Sequence, residues 1–452
     1  MFDLAIIGSG PGGYIAAERA GAQKLKTVLF EKKKLGGVCL NEGCIPTKTI
    51  LYSAKLYDNA LHSDKYGIST KETSVNIGNI IDRKNRTVRR LAAGIASKLK
   101  SNNVNVVSGT AMIIGRFANR ISIECDGTTY NTSNLLICSG SEAFVPPIPG
   151  VAEAGDIILT NREILELKEV PESLTIIGGG VIGMEFASFY NSLGSHVTVI
   201  EMLPEILGGI DKDISSMIRD IYAKRGVKFN LSCEVASINK NEVTFVDAKG
   251  LSSTVSTDKI LISVGRRPVI SGFGVENLGV ETVNGAIKVD NKMRTNIPNV
   301  FAAGDVTGFS MFAHTASREG EVVVNNLLGK NDFMGYNAIP GVVYTNPEVA
   351  SAGLTEEEAK TKGINYRVST LPMAFSGRFV AENEGGNGIC KIVVGAGQGE
   401  ILGMHMLGNP CSELIYGACM AIEQKMTTKE LEKVIFPHPT VSEIIKETIF
   451  SF

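Results

Sequence analysis

The sequence has no tryptophan, only five histidines, and no surplus charge of either sign: 45 Lys and Arg stand against 47 Asp and Glu, a formal net charge of -2. Nucleic-acid binding asks for a basic surplus, so no nucleic-acid partner is expected. Long hydrophobic runs are also missing. No uninterrupted apolar stretch approaches the roughly 20 residues that a bilayer-spanning helix needs, and no membrane partner is expected. The stretch Leu4 to Ile7 lacks the basic leader and cleavage pattern of a signal peptide and reads as a domain's first strand. The expected location is the cytoplasm, or an organelle matrix after processing. Eight cysteines scattered through 452 residues are too sparse for a disulfide scaffold. They suggest a reducing compartment with one special pair. The charge runs Lys32-Lys33-Lys34 and Arg83 to Arg90 read as solvated surface.

Glycine, by contrast, is abundant and clustered, with 49 residues. Clustered glycine marks backbone that approaches something closely or takes positive φ. Phe2 to Ile7 reads as a buried strand running into Gly8-Ser9-Gly10-Pro11-Gly12-Gly13. A helical pattern, Tyr14 to Ala22, follows, then a strand, Thr27 to Phe30, ending at Glu31. In this order Gly8 makes a tight turn, Gly10 lets the backbone reach a pyrophosphate, and Gly13 lets helix pack on strand. The helix N-terminus offers its free N–H groups to phosphate, and Glu31 can accept hydrogen bonds from a ribose diol.

The same device recurs. Leu174 to Ile177 leads into Gly178-Gly179-Gly180-Val181-Ile182-Gly183, a helix through Leu193, a strand His196 to Ile200, and Glu201, at the same offset from its first glycine as Glu31. One such loop is weak evidence. Two in register suggest two dinucleotides exchanging electrons. No Arg or Lys follows in Met202 to Leu207, and an acid without a nearby cation favours a free 2′-hydroxyl, hence NAD over NADP.

Between Glu31 and the next helix lies Gly36-Gly37-Val38-Cys39-Leu40-Asn41-Glu42-Gly43-Cys44-Ile45-Pro46-Thr47-Lys48. The spacing predicts both cysteines just ahead of a helix that runs from Thr47, where its positive end stabilises a thiolate. Cys39 and Cys44 read either as a cycling dithiol–disulfide pair or as two unrelated buried cysteines. Half a metal site is the other reading, but zinc needs two more ligands and none lies nearby, so no metal is expected. His62, His196, His314 and His405 read as surface or packed side chains. His438 stands between two prolines, with Glu443 five positions on. It reads either as a loop histidine with an incidental acid, or as a proton acceptor whose tautomer a carboxylate fixes.

The segment Gly37 to Lys48 resembles the redox-active segment of the pyridine nucleotide–disulfide oxidoreductases, and its Leu40-Asn41-x-Gly43 interior is similar to the form in members acting on dihydrolipoamide. The resemblance extends to Cys138-Ser139-Gly140-Ser141, Gly265-Arg266-Arg267-Pro268, Phe301-Ala302-Ala303-Gly304-Asp305 and Ala313-His314-Thr315-Ala316. It continues in Tyr344-Thr345-Asn346-Pro347-Glu348-Val349-Ala350 and His438-Pro439-Thr440-Val441-Ser442-Glu443. Departures are Cys138 for the usual Ala, Thr315 for the usual Lys, and Phe375-Ser376-Gly377-Arg378.

The resemblance implies an α/β fold with two Rossmann-like dinucleotide-binding domains and a C-terminal α+β interface domain that dimerises. The expected boundaries are 1–143 for FAD binding, 144–265 for NAD binding, 266–337 for a central segment completing the FAD domain, and 338–452 for the interface. FAD is expected on Gly8, Gly10, Gly13, Glu31, Lys48, Ala111, Asp305 and Ala313. NAD is expected on Gly178, Gly180, Gly183, Glu201, Val235 and Gly265. A Cys39–Cys44 disulfide, His438 with Glu443, and a Lys48–Glu185 pair beside the flavin are the implied catalytic groups. His438 would meet the cysteines only across a homodimer interface. The implied activity is oxidation of protein-bound dihydrolipoamide with reduction of NAD. The expected partners are a separate lipoyl-carrying protein and an acyltransferase core. Alternatives are a glutathione-type or mercuric-type reductase, or a docking or redox-sensing flavoprotein with little turnover. The missing cations after Glu201 and the absence of a C-terminal cysteine pair weigh against the first two.

Overall fold

The computed structural model describes residues 1–452 as two compact units. The first comprises Met1–Thr49, Ile81–Phe144 and Gly265–Gly335; the second comprises Ile50–Ile80, Val145–Val264 and Tyr336–Phe452.

In the first unit the apolar run after Asp3 forms β1 (Phe2–Ile7), in which Leu4, Ala5 and Ile6 are fully buried. A strand covered on both faces reads as a continuous apolar run rather than an alternating one. The helix α1 (Pro11–Ala22) returns the chain to β2 (Thr27–Glu31). Helix α2 (Gly37–Glu42) follows; α3 (Cys44–Leu61) begins in this unit and belongs to the second from Ile50, and α4 (Ile77–Ser101) belongs to this unit from Ile81. The sheet is completed by β3 (Asn105–Ser108), β4 (Met112–Phe117), β5 (Arg120–Cys125) and β6 (Thr128–Ile137), in the order β3-β2-β1-β6-β5-β4. The pairs β3–β2, β2–β1 and β1–β6 are parallel, and β6–β5 and β5–β4 are antiparallel. The long β6 pairs β1 on one edge and two strands on the other: its first half pairs β5, and Leu135–Ile137 pairs the strand Val300–Ala302. A short ribbon joins β7 (Ser141–Ala143) to Arg266–Pro268. The helix Ala313–Leu327 packs on α1 so closely that a Cβ on Gly320 would lie 2.5 Å from the Gly12 carbonyl oxygen.

The second unit repeats the parallel plan. Its strands β8 (Ile158–Leu159), β9 (Ser173–Ile177), β10 (His196–Glu201) and β11 (Lys228–Leu231) form a sheet with Lys259–Ile262, ordered β11-β10-β9-(259–262)-β8. Helix α5 (Val181–Ser192) links β9 to β10, and α6 (Lys212–Lys224) links β10 to β11. A three-stranded antiparallel sheet spans Cys233–Ser256. Past residue 336 the chain makes a five-stranded antiparallel sheet in the order 341–343, 349–353, 401–407, 389–395, 366–372. Helices Cys411–Glu423 and Glu443–Phe450 cover it. Ala352, Ile392, Met404, Met406, Ile415 and Ile444 belong to the core beneath them.

Two sequence expectations change. The run Arg83 to Arg90 is not wholly solvated, because Lys84 is only 1% exposed. The cysteines do not precede a helix starting at Thr47: Cys39 lies within α2, and Cys44 is the first residue of α3. Pro46 misled the reading. In a helix's first turn an N–H has no partner to lose, so proline is tolerated there rather than delaying the start.

Candidate active site

The two glycine loops match in the placing of their first, middle and last glycines. At the end of β1, Gly8 has φ +98°, and a Cβ there would fall 2.2 Å from the Cys138 carbonyl oxygen; Gly178, φ +101°, would meet Ser263 O at 2.7 Å. These first glycines let the loop press on the neighbouring strand's end. A Cβ on Gly13 would lie 1.9 Å from Gly8 O, and one on Gly183 2.1 Å from Gly178 O, so the third glycines let helix pack on strand. The middle glycines differ: a Cβ on Gly10 or Gly180 would meet no atom within 4 Å. Both are N-cap residues of helices with no side-chain cap, so the backbone N–H groups of α1 and α5 face a space that the protein leaves open. A pyrophosphate fits such a cradle: it accepts from the N–H groups and is favoured by the dipole.

The acids are oriented in the same way. Glu31 Oε2 accepts from Ser9 N at 3.0 Å and from Ser9 Oγ at 2.6 Å, while Oε1 accepts from Lys33 N at 2.7 Å. Glu201 Oε2 accepts from Gly179 N at 2.6 Å, and Oε1 accepts from Leu203 N at 2.8 Å. A carboxylate oxygen accepts more than one donor, so each acid keeps capacity for a ribose diol beside its loop.

Around the first loop stand the other expected groups of that unit. Asp305 Oδ2 accepts from Ser141 Oγ at 2.5 Å, and Ser141 Oγ in turn accepts from Arg266 Nε at 2.8 Å. The ribbon joining 141–143 to 266–268 thus aims the Asp305 carboxylate. Gly304 N donates to the buried Glu319 at 2.6 Å. Ala111 is buried at the head of β4. Ala313 opens a 15-residue helix that has no side-chain cap. Gly265, which opens the last stretch of the first unit, has φ +126° and open space at its Cβ position. In the second unit Val235 sits at a bulge between Cys233–Asn239 and Glu242–Asp247.

The redox segment lies on the first loop. Gly36 N donates to Ser9 O at 3.1 Å and to Ser9 Oγ at 3.2 Å. The next residue, Gly37, has φ +60° and would bring a Cβ to 2.6 Å from Gly10 Cα. Cys39 and Cys44 form a disulfide with Cα atoms 4.6 Å apart, and both residues are half-buried. Asn41 braces the turn before them: its Nδ2 donates to Leu35 O and Gly37 O, each at 2.9 Å. Cys44 at the first position of α3 receives the positive helix end. The other six cysteines are not paired.

Lys48 lies one turn after Cys44, on the same side of α3. Glu185 belongs to α5 in the second unit, is 3% exposed, and accepts from Tyr344 N at 3.0 Å. His438 Nδ1 lies 2.9 Å from Glu443 Oε1, and Glu443 Oε2 accepts from Thr440 N at 2.9 Å. The Thr440 N–H, with help from the His438 ring, holds the Glu443 carboxyl below its usual range. The carboxylate thus fixes Nδ1 as the protonated ring nitrogen and leaves Nε2 as the basic one. The His438 side chain is 81% exposed on the single chain.

Residue patterns alone did not single out Ser9, Asn41, Thr440 or the backbone of Tyr344, which orient the acids and the cysteines. Asn41 and Ser9 carried a usable signal, a short polar side chain inside a glycine-rich turn.

The sequence pattern of the family described as pyridine nucleotide-disulphide oxidoreductase matches residues 2–320, and the pattern of its dimerisation domain matches residues 339–449. The chain is 38% identical to the mitochondrial dihydrolipoyl dehydrogenase of Schizosaccharomyces pombe, over 100% of this chain and 89% of that protein. With the human protein of the same description it shares 38% over 98% of this chain and 89% of the relative. Among solved structures, LpdA from Mycobacterium tuberculosis superposes with a TM-score of 0.91 at 25% identity, over 100% of this chain and 99% of that one. The HOCl-induced flavoprotein disulfide reductase RclA from Escherichia coli superposes with a TM-score of 0.87 at 29% identity, over 99% of each chain.

Proposed function

The chain belongs to the pyridine nucleotide-disulphide oxidoreductases, and from that premise we propose that it is a dihydrolipoyl dehydrogenase, which oxidises protein-bound dihydrolipoamide to lipoamide and passes the electron pair to NAD. The observation that carries this reading is the Cys39–Cys44 disulfide at the head of α3, seated on the first of two matched dinucleotide loops. We assign FAD binding to residues 1–143 with 266–337, NAD binding to 144–265, and the interface to 338–452.

The active form is a homodimer. Tyr416 and Met420, one turn apart on Cys411–Glu423, are 70% and 51% exposed, and Ile435, shortly before His438, is 93% exposed. Apolar side chains this open suit a face that a second copy covers. In that arrangement His438 of the partner subunit meets the cysteines.

The chain's own residues then act in sequence. The imidazole Nε2 takes the proton of one substrate thiol, with Glu443 balancing the charge. The substrate thiolate attacks Cys39 Sγ, the Cys39–Cys44 bond breaks, and the pair of electrons leaves on Cys44. The second substrate sulfur then attacks the first and releases Cys39 as lipoamide forms. Gly8, Gly10, Gly13, Glu31, Ala111, Asp305 and Ala313 hold FAD, which supplies the electron path from the dithiol to NAD. Gly178, Gly180, Gly183, Glu201, Val235 and Gly265 hold NAD. Lys48 would stand with the groups that hold FAD. The substrate's carrier is a lipoyl-bearing protein, the chain serves a 2-oxoacid dehydrogenase or glycine-cleavage system, and it works in the cytoplasm or an organelle matrix.

The test is steady-state NADH formation from dihydrolipoamide and NAD by the purified holoenzyme. Failure to turn over this pair, with brisk reduction of glutathione disulfide or another disulfide by NADPH, would move the chain to a different branch of the family.

A further inference from the structure

Inside the second unit one lysine sits where a core residue belongs. Lys391 lies mid-strand in Ile389–Gly395, between the buried Cys390 and Ile392, and is 2% exposed. Its ammonium is 2.9 Å from Glu356 Oε2, 2.7 Å from Asp213 Oδ2, and 3.0 and 3.3 Å from the two oxygens of Asp211. Asp211 is wholly buried, and it is the N-cap of α6, accepting from Asp213 N at 3.1 Å. Burial alone would pull the lysine's pKa down. Hydrogen bonds to Asp213, Glu356 and Asp211 more than reverse that and leave it raised, so the group stays charged.

A buried ion pair is a poor source of net stability, because desolvation offsets the attraction. Its better-attested effect is to fix which parts meet. Here it fixes the end of the segment that frames the second dinucleotide loop. That segment starts at Glu201, whose carboxylate holds Gly179 N. It returns to the loop where Leu207 N donates to Gly179 O at 2.9 Å and where Ile206 lies against Gly179. It ends at Asp211. Met202 and Leu203, 67% and 46% exposed, stand between the first two anchors, beside the acid that faces the ribose.

We propose that Lys391, through Asp211, is a positioning residue for the NAD site: a residue of the dimerisation domain that sets the width of the cleft between Glu201 and Leu207. This rests on the assignment of NAD to the second loop. Release of Asp211 lets the 202–210 segment swing from Gly179, so NAD affinity falls while the cysteines are untouched. Coupling is reciprocal, so NAD also steadies the packing of the dimerisation domain on this segment.

The test uses holoenzyme variants K391M and D211N. D211N keeps the cap acceptor and the side-chain shape, and serves if K391M does not fold. NADH affinity is measured by titration of the holoenzyme, alongside the rate of enzyme reduction by dihydrolipoamide. The expected result is a roughly tenfold weaker NADH affinity and higher KM for NAD, with dithiol reduction within about twofold of the parent, and K391R recovering part of the loss. Lower melting temperature with unchanged NADH affinity overturns the proposal, as does equal slowing of both half-reactions. A parent protein that binds no NADH overturns instead the assignment on which the proposal rests.

Discussion

A Cβ on Gly37 would lie 2.6 Å from the Cα of Gly10, so the redox segment and the first glycine loop touch backbone to backbone. Nothing at that contact can give way, and position 37 also has φ +60°. Gly37→Ala is therefore expected to lift the cysteines off the loop, with turnover down at least roughly tenfold and flavin partly lost. Gly10→Ala meets no protein atom within 4 Å, so it should fold normally yet lose flavin. The ratio of flavin to protein absorbance, read beside circular dichroism, separates the two. Full flavin content in Gly10→Ala would mean that no phosphate lies over that glycine.

Cys44→Ser removes the sulfur that the proposed reaction makes the electron acceptor, with only a small loss of volume. Turnover of dihydrolipoamide should fall by roughly a thousandfold or more, with flavin content and melting temperature near those of the parent. Near-normal turnover would show that the disulfide is structural.

The Glu443 carboxyl, held low by Thr440 N–H and His438, stays ionised through neutral pH. His438→Gln should slow reduction of the enzyme by dihydrolipoamide by roughly a hundredfold, and leave electron transfer from NADH to an artificial acceptor nearly unchanged. Glu443→Gln should give a smaller loss of the same kind. Equal loss in both assays would argue that His438 only supports the interface.

Acid stability offers a further check. Arg318 grips Asp332 through two N–H groups, and these bonds, with burial opposing them, bring the Asp332 carboxyl down to about 2. A depressed carboxyl stabilises the fold above its unfolded value, near 4, and that stabilisation is lost as the pH falls through about 2. Arg318 is 40% exposed, so the contribution is discounted to about 1 kcal/mol. Asp332→Asn should be less stable than the parent at pH 7 by this margin, and the two should converge near pH 2.

Much of this architecture was legible because its signals are local. The two strand–glycine–helix–strand–acid runs are short-range patterns, and β1, α5 and β10 formed within a few residues of where the pattern placed them. The cysteine pair was legible too, but its helical setting was not, since Pro46 looks like a boundary and is in fact a first-turn residue of α3. The Lys391–Asp211 contact joins residues far apart in sequence. Only the oddness of one lysine among Ile389, Cys390, Ile392 and Val393 hinted at a buried partner. Tyr344 stood in a family-like segment, but its contribution to Glu185 was not legible, because it comes from a backbone N–H, which every residue but proline has.

The two cradles differ at the residue after their first glycine in a way that touches the acid. Ser9 grips Glu31 with both its amide and its hydroxyl and also accepts Gly36 N, whereas Gly179, at the equivalent place, offers Glu201 its amide alone. The first pocket is thus largely rigid before any ligand arrives, and a guest there forfeits little freedom of the host on entering. The second holds its carboxylate through two backbone N–H groups with no hydroxyl, a lighter bracing. That asymmetry suits a resident that stays for the enzyme's lifetime and a visitor that departs with every cycle.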